Sequence, residues 1–293
     1  MISLPRFKGI IQTVTLTAED MQKLMQLPPH EIDDWSPVKV IILSDWNTVM
    51  NTLARTMVDK IKENNANGDI TKFILPVGPT AQYPIAAQIS NQENVSWKRV
   101  WTFNMDEYLD WEGRPIPEDN PWSYHGSMKT NLFSQLDPEL RIPESQRWFP
   151  DPFDPDAIDE KIDALGGIDV AYGGIGLHGH IAFDEPVDTF FLRLTPAEFK
   201  QSKTRVVALN ADTMTRTLQA GHDMPPLAVT LGMRVILEAK HIILAGGGSI
   251  FRIAAMHPPS LDYPVTYVQE HPQPKDTVTL YAAERGRYVV YQA

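Results

Sequence analysis

The chain of 293 residues contains no cysteine. Disulfides, thiolate metal sites and cysteine nucleophiles are thereby excluded, and a cytoplasmic location is the expected one. Long apolar runs are also missing. None approaches the ~20 residues that cross a bilayer, so no membrane partner is expected. The opening MISLPRFKGIIQ lacks the charged start and apolar core of a secretory signal. Basic charge is in deficit: the formal net charge is -11. A general nucleic-acid binder would be basic, so that class is set aside. An anionic small molecule is not excluded, because a local pocket of backbone N–H groups with a few Arg or Lys suffices to hold one. The G-x-G-x-x-G fingerprint and the phosphate-loop lysine are absent too, so neither NAD nor ATP is expected.

What is present is the composition of an ordinary globular protein, 43% hydrophobic and 22% charged. Short β-branched runs alternate with helical patterns. VKVIIL (Val38–Leu43), KFILPV (Lys72–Val77), RVWTF (Arg99–Phe103), IDVAY (Ile168–Tyr172), HIILA (His241–Ala245) and PVTYV (Pro264–Val268) read as strands. Helical spacing follows the first of them, with Val49, Leu53, Met57 and Ile61 on one face, and recurs over Ala157–Leu165 and Leu227–Ala239. Apolar strands separated by helices predict an α/β fold with a largely parallel sheet and helices on both faces. TVTLYAAE and GRYVVYQ near the end predict an edge hairpin. No repeat or linker is visible, so 1–293 reads as a single domain.

In such sheets ligands bind beyond the carboxyl ends of the strands. Four strand ends carry glycine or polar residues: LPVGPT, FNMDEY, GGIGLHGHIAFDEP and LAGGGS. A parallel sheet turns all four to one crevice. In FNMDEY, Asp106 is a candidate general base and Glu107 a candidate substrate contact, against the bland reading of a solvated acidic turn. In GGIGLHGHIAFDEP, Gly176 and Gly179 allow close approach of backbone to a ligand. His178 and His180 are the side chains most easily set to move protons near neutral pH. Glu185 could fix the tautomer of His180 and raise its pKa. His-x-His with carboxylates also suits zinc or manganese, but no third histidine stands at a familiar spacing, so no metal is expected.

With these residues in place, the chain resembles the glucosamine-6-phosphate deaminase/isomerase family, within a superfamily that includes the 6-phosphogluconolactonases. FNMDEY matches a family segment at full length. GGIGLHGHIAFDEP matches the pattern G-G-x-G-x-D-G-H-I-A-F-N-E-P at all but two defined positions. NPWSYHGSM (Asn120–Met128), TRV (Thr204–Val206) and LAVTLGMRVILEAK resemble further blocks, in family order, from about Val38 to Glu284. GHIAF-x-EP favours the deaminase branch, since the lactonase loop continues GH-x-A-S-L-F-P. The resemblance implies a Rossmann-like fold and proton transfer on an open-chain amino-sugar phosphate, with no cofactor. It makes Asp106 the base between C1 and C2, His180 the ring-opening acid/base and Glu185 its tuning partner. The expected partner is a small sugar or sugar phosphate, and a homo-oligomer fits the family habit.

The departures fall in the same loops. His178 and Asp184 stand where the pattern has Asp and Asn. TRV keeps Arg205 but is followed by Val207 at a lysine position, and Ile250 stands at a second lysine position, for which Arg252 is a candidate replacement. LPVGPTA keeps Gly78 and Thr80 as substrate contacts. Insertions of roughly eight and ten residues adjoin the expected site. A sugar whose phosphate is absent or held differently is therefore the expected substrate. A non-enzymatic sugar sensor and a sugar-lactone hydrolase remain the alternatives.

Overall fold

The computed structural model describes residues 17–186, 194–211, 213–215 and 226–285. Its centre is a seven-stranded sheet in the order β1-β10-β9-β6-β2-β3-β5, parallel throughout. The strands are β1 (Lys39–Asp45), β2 (Thr71–Leu75), β3 (Val100–Asn104), β5 (Arg147–Trp148), β6 (Val170–Gly174), β9 (His241–Ala245) and β10 (Val278–Arg285). β2, with Phe73, Ile74 and Leu75 all fully buried, needs cover on both faces, which is why its sequence shows no alternation. Ile74, Phe103, Ala171, Ile242 and Leu280 share one core cluster, and Phe73, Val100, Val170 and Tyr172 share another.

The helix Trp46–Asn67 covers one face. Asp45 starts it by accepting from the Thr48 amide at 2.8 Å, and Gly68, at φ 76°, ends it. Val49, Leu53, Met57 and Ile61, predicted on one face, are all buried there. Burial of each large aliphatic is worth about 1.5–3 kcal/mol, so the helix is held by packing more than by its own propensity. Leu53→Ala would remove about 2–5 kcal/mol.

Three readings of the sequence need correction. PVTYV is a short 3-10 helix, Pro264–Glu270, not a strand; its proline provides a helical start and its valines are buried by packing, not by pairing. TVTLYAAE is no edge. It forms β10, inserted between β1 and β9, and GRYVVYQ lies outside the described residues. The run Leu227–Ala239 is not one helix: LAVT is strand β8 (Leu227–Thr230), and only Met233–Leu237 is helical.

That last strand belongs to an element the sequence did not reveal. β4 (Asp106–Leu109), β8 and β7 (Arg205–Ala208) form a separate antiparallel sheet in the order β4-β8-β7. The chain leaves β3 at Met105, whose carbonyl accepts from the Leu231 amide at 2.7 Å, and enters β4 at once. The small sheet therefore stands on the carboxyl end of the large one.

Candidate active site

Asp106 is the first residue after this bend. It faces Thr230 of β8, which faces Arg205 of β7, so the three lie in register across the small sheet. Strand alternation then sorts the neighbours. Asp106 and Tyr108 line the cleft, whereas Glu107 does not. Glu107 turns to the start of the helix Tyr124–Met128, where it accepts from the amides of Tyr124 and His125 at 2.8 Å each and from the Ser123 hydroxyl at 3.2 Å. It also accepts from the Tyr108 amide at 3.0 Å. The placement of Glu107 is that of a buried helix cap, away from any ligand in the cleft.

Asp106 is only 6% exposed, and among the described residues no donor reaches its carboxylate. Burial, followed by the charges of Glu107 and Asp184, holds its carboxyl well above the usual carboxylate range. Once ionised it is a strong base.

The histidine loop follows β6. The amide of Gly176 donates to the carbonyl of His180 at 2.9 Å, closing a tight turn. Gly176 must lack a side chain because a Cβ there would run into the His180 imidazole. Gly179 has φ +81° and gives its carbonyl to the Val265 amide at 2.7 Å, so it shapes the loop from behind and does not line the cleft. The Phe183 amide donates to the Thr230 hydroxyl at 3.0 Å, fastening the loop to the small sheet.

Inside this loop the two imidazoles meet edge to face, with centroids 4.8 Å apart. Glu185 Oε1 lies 3.6 Å from His178 Nε2 and 3.8 Å from His180 Nδ1. Glu185 is itself held: the Asn210 amide donates to Oε2 at 2.6 Å and the Thr213 hydroxyl donates to Oε1. Thr213 also stands 3.1 Å from His178 Nε2. Asp184, fully buried, goes the other way and pairs with Arg205 at 2.8 Å. Desolvation raises its carboxyl to about 6 against the opposing pull of Arg205.

All four predicted strand ends meet. One cleft of about 1,010 Å³ is lined by Gly78 and Thr80 after β2, Asp106 after β3, Gly176, His178 and His180 after β6, and Gly246–Ile250 after β9. β2 has β3 on one side and β6 on the other, the reversal of strand order at which such sheets bind ligands. Arg252 is not brought in. Ile250 lines the cleft, and two residues on the helix has turned about 200°. Arg252 accordingly points away and donates to the carbonyls of Leu24 at 3.1 Å and Leu27 at 2.5 Å. Among the described residues lining the cleft there is no Lys or Arg.

One wall escaped the sequence reading. Tyr108, Tyr124, Trp122 and Phe183 pack together, with Tyr108 centroid distances of 4.9 Å to Tyr124, 5.2 Å to Phe183 and 6.1 Å to Trp122. The insertion after β4 builds it. That segment folds as a tight hairpin, in which Arg114 pairs with Asp110 at 2.8 Å, and then delivers Ile116 and Trp122 onto Tyr108. The aromatic spacing in DEYLDW and PWSY was the available signal. Thr213 and Trp46 also line the cleft and carry no such signal in the sequence.

No family model matches the chain. It is 32% identical over 229 residues to a glucosamine-6-phosphate deaminase of Caenorhabditis elegans, covering 75% of this chain and 79% of that protein. It is 33% identical over 224 residues to one of Hahella chejuensis, covering 73% and 79%. Among solved structures it is similar to a monomeric glucosamine-6-phosphate deaminase of the NagB superfamily, with a TM-score of 0.69 and 26% identity over 84% of this chain and 98% of that one. A 6-phosphogluconolactonase from Trypanosoma cruzi shares the fold, with a TM-score of 0.61 and 16% identity over 84% and 94%.

Proposed function

The chain belongs to the glucosamine-6-phosphate deaminase family, and on that premise we propose that it moves a proton between C1 and C2 of an open-chain amino sugar or its phosphate. The observation that carries this reading is the meeting of Asp106, His178 and His180 in one cleft at the reversal of strand order. Asp106 takes the proton from C2. The electron pair left on carbon is drawn toward the adjacent carbonyl, whose oxygen gains charge, and the proton returns at C1. As the nitrogen lone pair closes a C=N bond at C2, one nitrogen proton passes to the C1 oxygen, leaving an imine that water converts to a ketone and ammonia. His180, in the same cleft, supplies and accepts the proton that opens the sugar ring, with the Glu185 carboxylate 3.8 Å from its Nδ1 to favour the charged imidazole.

The raised pKa of Asp106 suits this step, because a base held above its ordinary range has more driving force to remove a carbon-bound proton. The aromatic wall suits the apolar face of a sugar. Arg205 is already paired with Asp184, which favours a substrate whose recognition does not depend on a free guanidinium. Incubation of the pure protein in deuterated water with glucosamine and with glucosamine 6-phosphate tests the reading. Deuterium entering at C1, with release of ammonia, is expected from at least one of them and is lost in Asp106→Asn. Undiminished exchange in that variant would remove Asp106 from its role.

A further inference from the structure

His178, His180 and Glu185 each bring one donor atom close to the other two. Two separations, 3.6 and 3.8 Å, exceed hydrogen-bond length. The carboxylate oxygen is thus not bonded directly to either imidazole. All three donor atoms nevertheless lie within 4.8 Å of one another. Metal–ligand bonds of ~2.1 Å at tetrahedral angles set neighbouring donors ~3.4 Å apart. Two of the separations are already near that value, and the third is at most 4.8 Å.

The surroundings are those of a built site. The Asn210 amide holds Glu185 from behind, at Oε2, while the Thr213 hydroxyl rests on the donor atoms themselves, Glu185 Oε1 and His178 Nε2, and would give up these contacts to an ion. Outer partners such as the Asn210 amide orient ligating groups. Glu185 is buried, while both histidines line the cleft. The open side of the trio therefore faces the space where a substrate or water would complete the coordination.

We propose that His178, His180 and Glu185 bind one divalent first-row metal ion, with zinc as the reference member. Two imidazoles and one carboxylate are the donor types that such ions take. The inference goes beyond the proton-transfer reading and does not rest on it. An ion here would occupy Nδ1 of His180, the nitrogen nearest Glu185. It would leave a net positive charge in a cleft whose described lining has no Lys or Arg. The histidine spacing alone predicts no metal, for want of a third histidine; the third donor is Glu185, which follows the turn at Ile181–Asp184.

The test uses the full-length chain without an affinity tag, stripped with a chelator and dialysed against micromolar zinc. Metal content is then read by mass spectrometry. One equivalent per chain is expected. His178→Ala and Glu185→Gln are each expected to weaken binding by about tenfold or more, with thermal melting used to confirm folding. Cobalt(II) in place of zinc should give the intense visible absorption of a four-coordinate ion. A wild-type chain that retains less than a tenth of an equivalent would overturn the proposal. So would variants that bind as the wild type does, or a cobalt spectrum of the weak six-coordinate kind. None of these readouts depends on deuterium exchange, so failure of the proton-transfer reading would be seen separately.

Discussion

Two acidic pairs, Asp106-Glu107 and Asp184-Glu185, adjoin the cleft and divide their labour in the same way. In each, one carboxylate serves the cleft and its neighbour serves the frame. Asp106 faces the cleft and Glu107 caps a helix. Glu185 faces the histidines and Asp184 locks Arg205. The means differ. In β4 the division follows from strand alternation, which sends consecutive side chains to opposite faces. In the loop it follows from the turn closed by the Ile181–Asp184 bridge. Both framework carboxylates are compensated, Glu107 by four donors and Asp184 by a guanidinium. A buried carboxylate without such partners carries a large desolvation cost. Asp106 bears that cost, which is what makes it a base.

The largest expected effect tests this division directly. Asp106→Asn should lower deuterium exchange by about 10²–10⁴-fold, the usual weight of a positioned general base. The fold should survive, because the substitution removes a buried charge and leaves its shape. Loss of folding in place of loss of exchange would make Asp106 a framework residue and dissolve the comparison.

The pH dependence sharpens the same point. The base acts only when ionised, and its pKa lies well above the usual range. Exchange should therefore climb about tenfold per pH unit until Asp106 is ionised. Stability runs the other way. The folded chain holds this proton more tightly than the unfolded one, so this group's contribution falls as pH rises from the ordinary carboxylate range through the raised value. Asp106→Asn should flatten that part of a melting-temperature profile. A profile unchanged by the substitution would contradict the assignment.

Glu107→Ala should give the reverse pattern. Buried amides left without an acceptor cost about 1–3 kcal/mol, read as a lower denaturation midpoint. Exchange measured well below the midpoint should fall only a few-fold. A loss as large as that of Asp106→Asn in a fully folded variant would place Glu107 in the chemistry.

Much of this was legible in the sequence. β1, β2, β3, β6 and β9 appear within two residues of the apolar runs that announce them, because buried parallel strands are written as continuous hydrophobic stretches. The convergence of four strand ends followed from parallel geometry alone. The small antiparallel sheet was not legible. DEYL and RVVA are four residues each and show no long alternation, and LAVT runs into a helical pattern that masks it. The roles of Glu107 and Arg252 were hidden for a related reason. Each lies one or two residues from a cleft residue, and only the direction of the side chain separates frame from site. The partner of Arg205 was equally invisible, since Asp184 is 21 residues away.

Asp184→Asn probes that partner, and its effect should be the smallest. The substitution restores the residue of the family pattern. An amide can still accept from Arg205, but it no longer neutralises it, so the guanidinium gains positive charge to offer an anion. Wild type and variant should be compared with glucosamine and glucosamine 6-phosphate side by side. The ratio of kcat/KM should shift toward the phosphorylated sugar by a few-fold, through KM more than kcat, because the substitution changes the charge beside the cleft and leaves the base Asp106 in place. An equal change for both sugars would mean that Asp184 acts on the shape of the histidine loop and not on the charge of Arg205. The second acidic pair would then be framework and chemistry at once, and its likeness to the first would end at the sequence.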